Sequence, residues 1–131
     1  MRIQMKLSKA TVIAFNEFKR KIYGDPNIEI TNGYVLGAAY NLIKEELENI
    51  DWEEVKNRES EIVRESQDKS VEGVHTTLNI DSAISEGINK LQNAFLNEFK
   101  TTRIHRSFVV KLVMFATLLH HNNELPKKEI K

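Results

Sequence analysis

The 131-residue chain contains no cysteine, which excludes a disulfide framework, a zinc-thiolate site and a thiol nucleophile, and fits a reducing compartment. Its five glycines form no phosphate-binding loop, and neither a Gly-x-Ser-x-Gly elbow nor a His-Glu-x-x-His pair occurs, so a nucleotide or hydrolytic enzyme is not expected. Long apolar runs are also lacking. The strongest, residues 108–119, is interrupted by Lys111 and is too short to span a bilayer, while residues 1–6 hold no apolar signal core. The expectation is a soluble, cytoplasmic, non-enzymatic protein that meets no membrane and takes no metal, cofactor or small-molecule substrate.

Charge of one sign is missing as well, with 19 basic and 19 acidic side chains, which argues against a general polyanion binder. The distribution is less even than the sum. Residues 1–48 carry seven basic and six acidic side chains, residues 49–72 four and eight, and residues 73–131 eight and five. An acidic middle separates two mildly basic flanks. The length suits one compact body or an internal duplication.

What is present is a repeated grammar. Arg2-Ile3-Gln4-Met5-Lys6-Leu7 alternates polar and apolar with period two, as a half-buried strand requires, with Ile3, Met5 and Leu7 inward. Ser8 is placed to cap a helix over residues 9–22, whose stripe is Thr11, Ala14, Phe15, Phe18 and Ile22. Gly24-Asp25-Pro26-Asn27 ends it. A second helix opens after Thr31 with Val35, Ala38, Ala39, Leu42 and Ile43 as its apolar face. The grammar restarts at Val74, with Thr76, Leu78 and Ile80 on one side of a strand and His75, Thr77 and Asn79 on the other. Asp81 is the counterpart of Ser8, and Ile84, Ile88, Leu91, Phe95 and Phe99 form the next stripe. A last helix is expected over residues 103–120.

Leu7 to Ile30 is 23 residues and Ile80 to Ile104 is 24, and a cap residue follows each strand. This agreement favours internal duplication over two unrelated hairpins. Residues 1–48 and 73–122 are the two units, residues 49–72 an acidic connector and residues 123–131 a tail. Within the connector Asp51 and Glu54 have capping-box spacing before a short helix; Trp52 and Val55 are expected to dock, and residues 59–72 to be mobile. A lone strand leaves its backbone groups unpaired, so the two strands are expected to pair antiparallel as a ribbon over four helices. Exchange of strands between two chains remains open at this point.

Strand, cap, helix, tight turn and a second helix opened by Ile30-Thr31-Asn32-Gly33 or Ile104-His105-Arg106-Ser107 resembles the ribbon-helix-helix fold of the MetJ/Arc superfamily. Two copies in one chain resemble its tandem TraY-type members. The resemblance covers both units and leaves out the connector and tail. It implies a mainly α fold with a short two-stranded antiparallel ribbon, arranged as an intramolecular pseudo-dimer. It further implies sequence-specific binding of double-stranded DNA by the ribbon in the major groove, in repression of transcription or control of plasmid replication or conjugation. The base-reading positions carried over are Arg2, Gln4 and Lys6 in the first strand and His75, Thr77 and Asn79 in the second. Each residue type suits base reading, since Arg and Lys donate to guanine, Gln and Asn pair with adenine, and the Thr methyl packs on thymine. The resemblance assigns phosphate contacts to Thr31, Asn32, Gly33, His105, Arg106 and Ser107, where free amides and the helix dipole favour an anion. The plainer accounts are solvent-facing polar residues for the first set and ordinary capping for the second.

The last helix is apolar nearly all round, from Phe108 to Leu119, more than one buried face needs, and homodimerisation of the tandem unit is a further expectation. His120 and His121 are read as solvated helix-end residues, since His120 with Glu124 lacks a third metal ligand. The principal rival is a helical interaction protein, an antirepressor or adaptor, in which the strands only hold a dimer together; the neutral net charge favours it.

Overall fold

The computed structural model describes residues 1–66 and 70–129. Its elements run β1 (Arg2–Leu7), α1 (Lys9–Tyr23), α2 (Asn32–Ile43), a 3-10 turn (Leu47–Asn49), α3 (Trp52–Asn57), α4 (Glu59–Glu65), β2 (Val74–Asn79), α5 (Ser82–Glu98) and α6 (Arg106–His121). The fold is mainly helical with one two-stranded antiparallel sheet. β1 pairs with β2 of the same chain, in the register Arg2 opposite Asn79 through Leu7 opposite Val74. The pairing is therefore intramolecular.

Local chemistry sets the helix boundaries. Ser8 is extended and its hydroxyl accepts from the Thr11 amide at 3.2 Å, while Gly24 closes α1 with φ +78°, a left-handed geometry that glycine adopts without a Cβ penalty. Thr31 caps α2 by accepting from the Tyr34 amide at 3.1 Å. Asp81 occupies the cap position of α5 with extended backbone, yet its side chain makes no capping bond. There the likeness to Ser8 is positional only.

α6 is the central element. It packs against α1, α2, α3, α5 and β1, and Val109, Val110, Leu112, Val113, Met114, Phe115, Ala116, Leu118 and Leu119 are all buried. Its all-round apolar character is used up inside the chain. The Thr117 hydroxyl, also buried, bonds to the Val113 carbonyl at 2.8 Å and to the Ala39 carbonyl of α2 at 3.0 Å, so its polarity is satisfied. The helix starts at Arg106 rather than at 103, because Thr101 and Arg103 form a local turn and the Gln92 amide holds the Ile104 carbonyl at 2.8 Å. The phase of α2 also differs from expectation: Leu36 is fully buried and Leu42 is 46% exposed.

The connector is more structured than its composition suggests. α3 buries Trp52 and Val55, with the Trp52 ring 5.0 Å from that of Phe95. The Asp51 carboxylate caps α3 through the Glu54 amide at 3.2 Å, while its own amide donates to the Pro126 carbonyl at 3.0 Å, so the reciprocal half of a capping box is absent. The expectation of mobility across residues 59–72 is corrected for its first half. α4 covers Glu59–Glu65, buries Ile62 and is tied by Lys111 to Glu59 at 2.7 Å. Ser66 donates to the buried Glu17 at 3.2 Å. Residues 67–69 of that stretch lie outside the described residues.

The tail runs back over the connector. Ile50 and Lys127 form an antiparallel bridge, the Lys128 amide donates to the Asn49 carbonyl at 2.7 Å, and the Lys127 ammonium reaches Glu46 at 2.6 Å. His120 therefore meets Glu46, at 3.5 Å, rather than Glu124, which pairs with Arg58 at 3.8 Å. The Lys127 hydrogen bond holds the Glu46 carboxyl below its ordinary value of 4.5. A carboxylate with a lowered folded pKa stabilises the structure above its unfolded value, and that contribution is lost as pH falls through the lowered one. On acidification to about pH 3 the Lys128 amide is expected to exchange faster with solvent relative to the α6 core. Lys127→Met should flatten that dependence, and an unchanged profile would show that Glu46 does not fasten the tail.

Candidate nucleic-acid interface

Along the ribbon Ile3, Leu7 and Leu78 are buried, with Met5 and Thr76 half-buried over the helices. Arg2, Gln4, Lys6, His75, Thr77 and Asn79 are all exposed. The register sets them opposite one another in three outward rungs, Arg2 with Asn79, Gln4 with Thr77 and Lys6 with His75. Period-two alternation in both strands, combined with direct opposition, places all six on one face.

The start of α2 lies at the Arg2–Asn79 end of this face. Gly33 is buried, and a Cβ there would overlap the Asn79 carbonyl oxygen and stand 2.8 Å from both the Asn79 carbonyl carbon and amide nitrogen. The close approach that this glycine permits is thus to the backbone of β2. Thr31 is exposed and Asn32 half-buried beside it. A cavity of about 450 Å³ between α2 and the β2–α5 junction is lined by Thr31, Gly33, Asn79 and Asp81 among others.

At the start of α6, His105 is exposed and extended and makes no side-chain capping bond, while Arg106 and Ser107 are half-buried. The Arg106 Nε is buried and has no hydrogen-bond partner. An unsatisfied buried donor costs free energy that an acceptor would recover. α6 packs on β1 as α2 packs on β2, so each second helix is carried by the strand of the other half.

No family model, curated protein or solved structure matches the chain. The reading of this face rests on its own chemistry.

The ion pairs collect elsewhere: Arg20 with Glu17, Arg58 with Glu61 and Glu124, Lys111 with Glu59, Lys127 with Glu46 and Lys128 with Glu98. Among the described residues Arg2, Lys6, Lys9, Arg103 and Arg106 join none of them, and neither do Lys19, Lys21, Lys44, Lys56, Arg64, Lys90 and Lys100. Of the six carboxylates in these pairs, Glu59, Glu61 and Glu124 belong to the connector and tail and Glu17, Glu46 and Glu98 to the helical units. Glu72 and Asp81, both exposed, are the acidic residues adjoining β2 in sequence. Two residues lie outside the set singled out from sequence. Lys9 is exposed directly after the β1 cap, a position the strand–cap pattern marks. Tyr34 is 61% exposed at the opening of α2; burial, and next the neighbouring Tyr34 phenol, raise the pKa of Tyr23.

Proposed function

We propose that the chain is a tandem ribbon-helix-helix protein, an intramolecular pseudo-dimer that binds double-stranded DNA sequence-specifically through its ribbon and acts by binding rather than catalysis. The observation that carries this reading is the outward face of six hydrogen-bonding residues, two of them cationic, above an apolar inner face. Strand–helix–helix order at both ends of the chain and the reciprocal packing of α2 on β2 and α6 on β1 support the pseudo-dimer. Six-residue strands are about 20 Å long, and a two-stranded ribbon fits a major groove about 12 Å wide. The outer side chains then meet base edges while the openings of α2 and α6 flank the groove, where backbone amides and the Arg106 guanidinium face phosphates. Repression of transcription or control of plasmid replication or conjugation, in the cytoplasm, is the role such binding serves.

The pure protein is expected to shift duplex DNA, with log affinity falling by about 0.9 per phosphate contact for each unit of log salt. Arg106→Ala should weaken all sequences alike and reduce that slope by about one. Salt-independent binding, or none at low salt, would sink the reading. The balanced net charge favours the second reading, a helical interaction protein using the same fold as a scaffold, and absence of any DNA shift would leave it in place.

A further inference from the structure

α5 packs chiefly on α6, and beside that contact a cavity of about 350 Å³ lies between α5 and residues of α2, the 3-10 turn, α3 and the tail. Small-molecule sites occupy roughly 300–1,000 Å³ and are often set between helices. The floor here is aromatic and apolar. Trp52, Leu91 and Phe95 are buried in it, with the two rings 5.0 Å apart. The Trp52 indole N–H is already taken by the Leu47 carbonyl at 3.3 Å, so what Trp52 offers a ligand is its ring.

Gly87 shapes one wall. A Cβ there would overlap the phenol of Tyr40, which lines the same cavity. Glycine inside a helix costs stability relative to alanine, and at this position it lets the Tyr40 ring lie against α5 as a third aromatic surface. Four charged residues border the hollow: Glu48, Lys90, Glu98 and Lys128. Glu98 and Lys128 neutralise each other at 3.3 Å. Lys90 of α5 and Glu48 of the 3-10 turn are both exposed, and among the described residues neither joins an ion pair. Facing elements thus bring one cation and one anion, each without a partner, to a single aromatic cavity.

We propose that this cavity binds an aromatic amino acid, its ring seated among Trp52, Phe95 and Tyr40, its carboxylate on Lys90 and its ammonium on Glu48. The charges decide among ligand classes. An aromatic acid would satisfy Lys90 but bring its carboxylate up to Glu48, and an aromatic amine would satisfy Glu48 but meet the Lys90 ammonium. A ligand with both charges beside one ring answers both residues. Ring packing on the buried floor supplies most of the affinity. The two exposed charges, screened by water, supply selection. This inference does not depend on DNA binding.

Trp52 is the only tryptophan of the chain, so its fluorescence reports on the cavity directly. Titration of the pure protein, without DNA, with L-phenylalanine up to about 10 mM, a range suited to a ligand of this size, is expected to change that emission saturably. Phenylpropionate and phenethylamine, each lacking one of the two charges, should bind at least about fivefold more weakly. Lys90→Gln should abolish the preference for phenylalanine over phenethylamine, and Glu48→Gln the preference over phenylpropionate. Both residues are exposed, so the variants should melt as the parent does. No saturable response, equal binding of the three compounds, or a preference that survives either substitution would each overturn the proposal.

Discussion

Replacing Gly33 by alanine is expected to destabilise the protein by about 1–3 kcal/mol, as overpacking does, lowering the melting temperature on the order of 10 °C. The added Cβ would meet main-chain atoms of Asn79, two of them at 2.8 Å, and neither α2 nor β2 has a flexible side chain at the contact that could yield. Relief requires α2 to lift from the ribbon. Because Asn79 is itself an outward rung residue, the shift should also blunt base discrimination in any variant that still folds. Gly87→Ala is the control. Its Cβ would overlap the phenol of Tyr40, 2.9 Å from Cε2, but that obstacle is the far end of a side chain and can swing toward solvent. A melting scan in which Gly33→Ala matches the parent would mean that α2 does not rest on β2.

The contrast between these glycines bears on what the sequence could disclose. Period-two alternation and the caps at Ser8 and Thr31 are local signals, and the observed strands and first two helices follow them closely. Direct opposition of the outward rungs was accessible too, since two strands of equal length with inward apolar residues have few registers that keep both faces consistent. The phase of α2 was not accessible. Leu36 turns inward and Leu42 outward because Gly33 must abut Asn79, a contact 46 residues away in sequence, and periodicity alone cannot choose among neighbouring apolar stripes. α4 leaves little trace in the sequence for a related reason: its helical state depends on Ile62 packing and on Lys111 reaching Glu59, with only one buried residue in seven to announce it. The sequence points to an earlier start for α6, because Ile104 reads as the first helical hydrophobic, whereas the structure packs it against the core in non-helical chain before His105. Of the site, residue types and their alternation were legible. The unsatisfied Nε of Arg106 and the concentration of ion pairs away from the ribbon required three dimensions.

Replacing Gln4 or Asn79 by alanine is expected to relax base preference at one position of the preferred site each, at a cost of about 1–3 kcal/mol where the lost contact is bidentate to adenine. Residues two apart on one strand are separated by about 6.8 Å, two base-pair steps of about 3.4 Å, so successive rungs address different base pairs. The rungs are unlike: Arg2 with Asn79, Gln4 with Thr77, Lys6 with His75. If the ribbon reads bases as proposed, Arg2 and Lys6 should favour guanine at the two outer positions, and the central rung of Gln4 and Thr77 an A·T pair. No two-fold operation exchanges β1 and β2 with their side chains, so one chain's site is at best an imperfect palindrome. Selection of bound sequences from random duplexes, run on the parent and on the two folded variants, measures this directly. Loss of preference should fall at the centre for Gln4→Ala and toward one end for Asn79→Ala. If both variants bind every tested sequence as the parent does, the ribbon reads no bases, and the scaffold of an interaction protein becomes the better account of the same face.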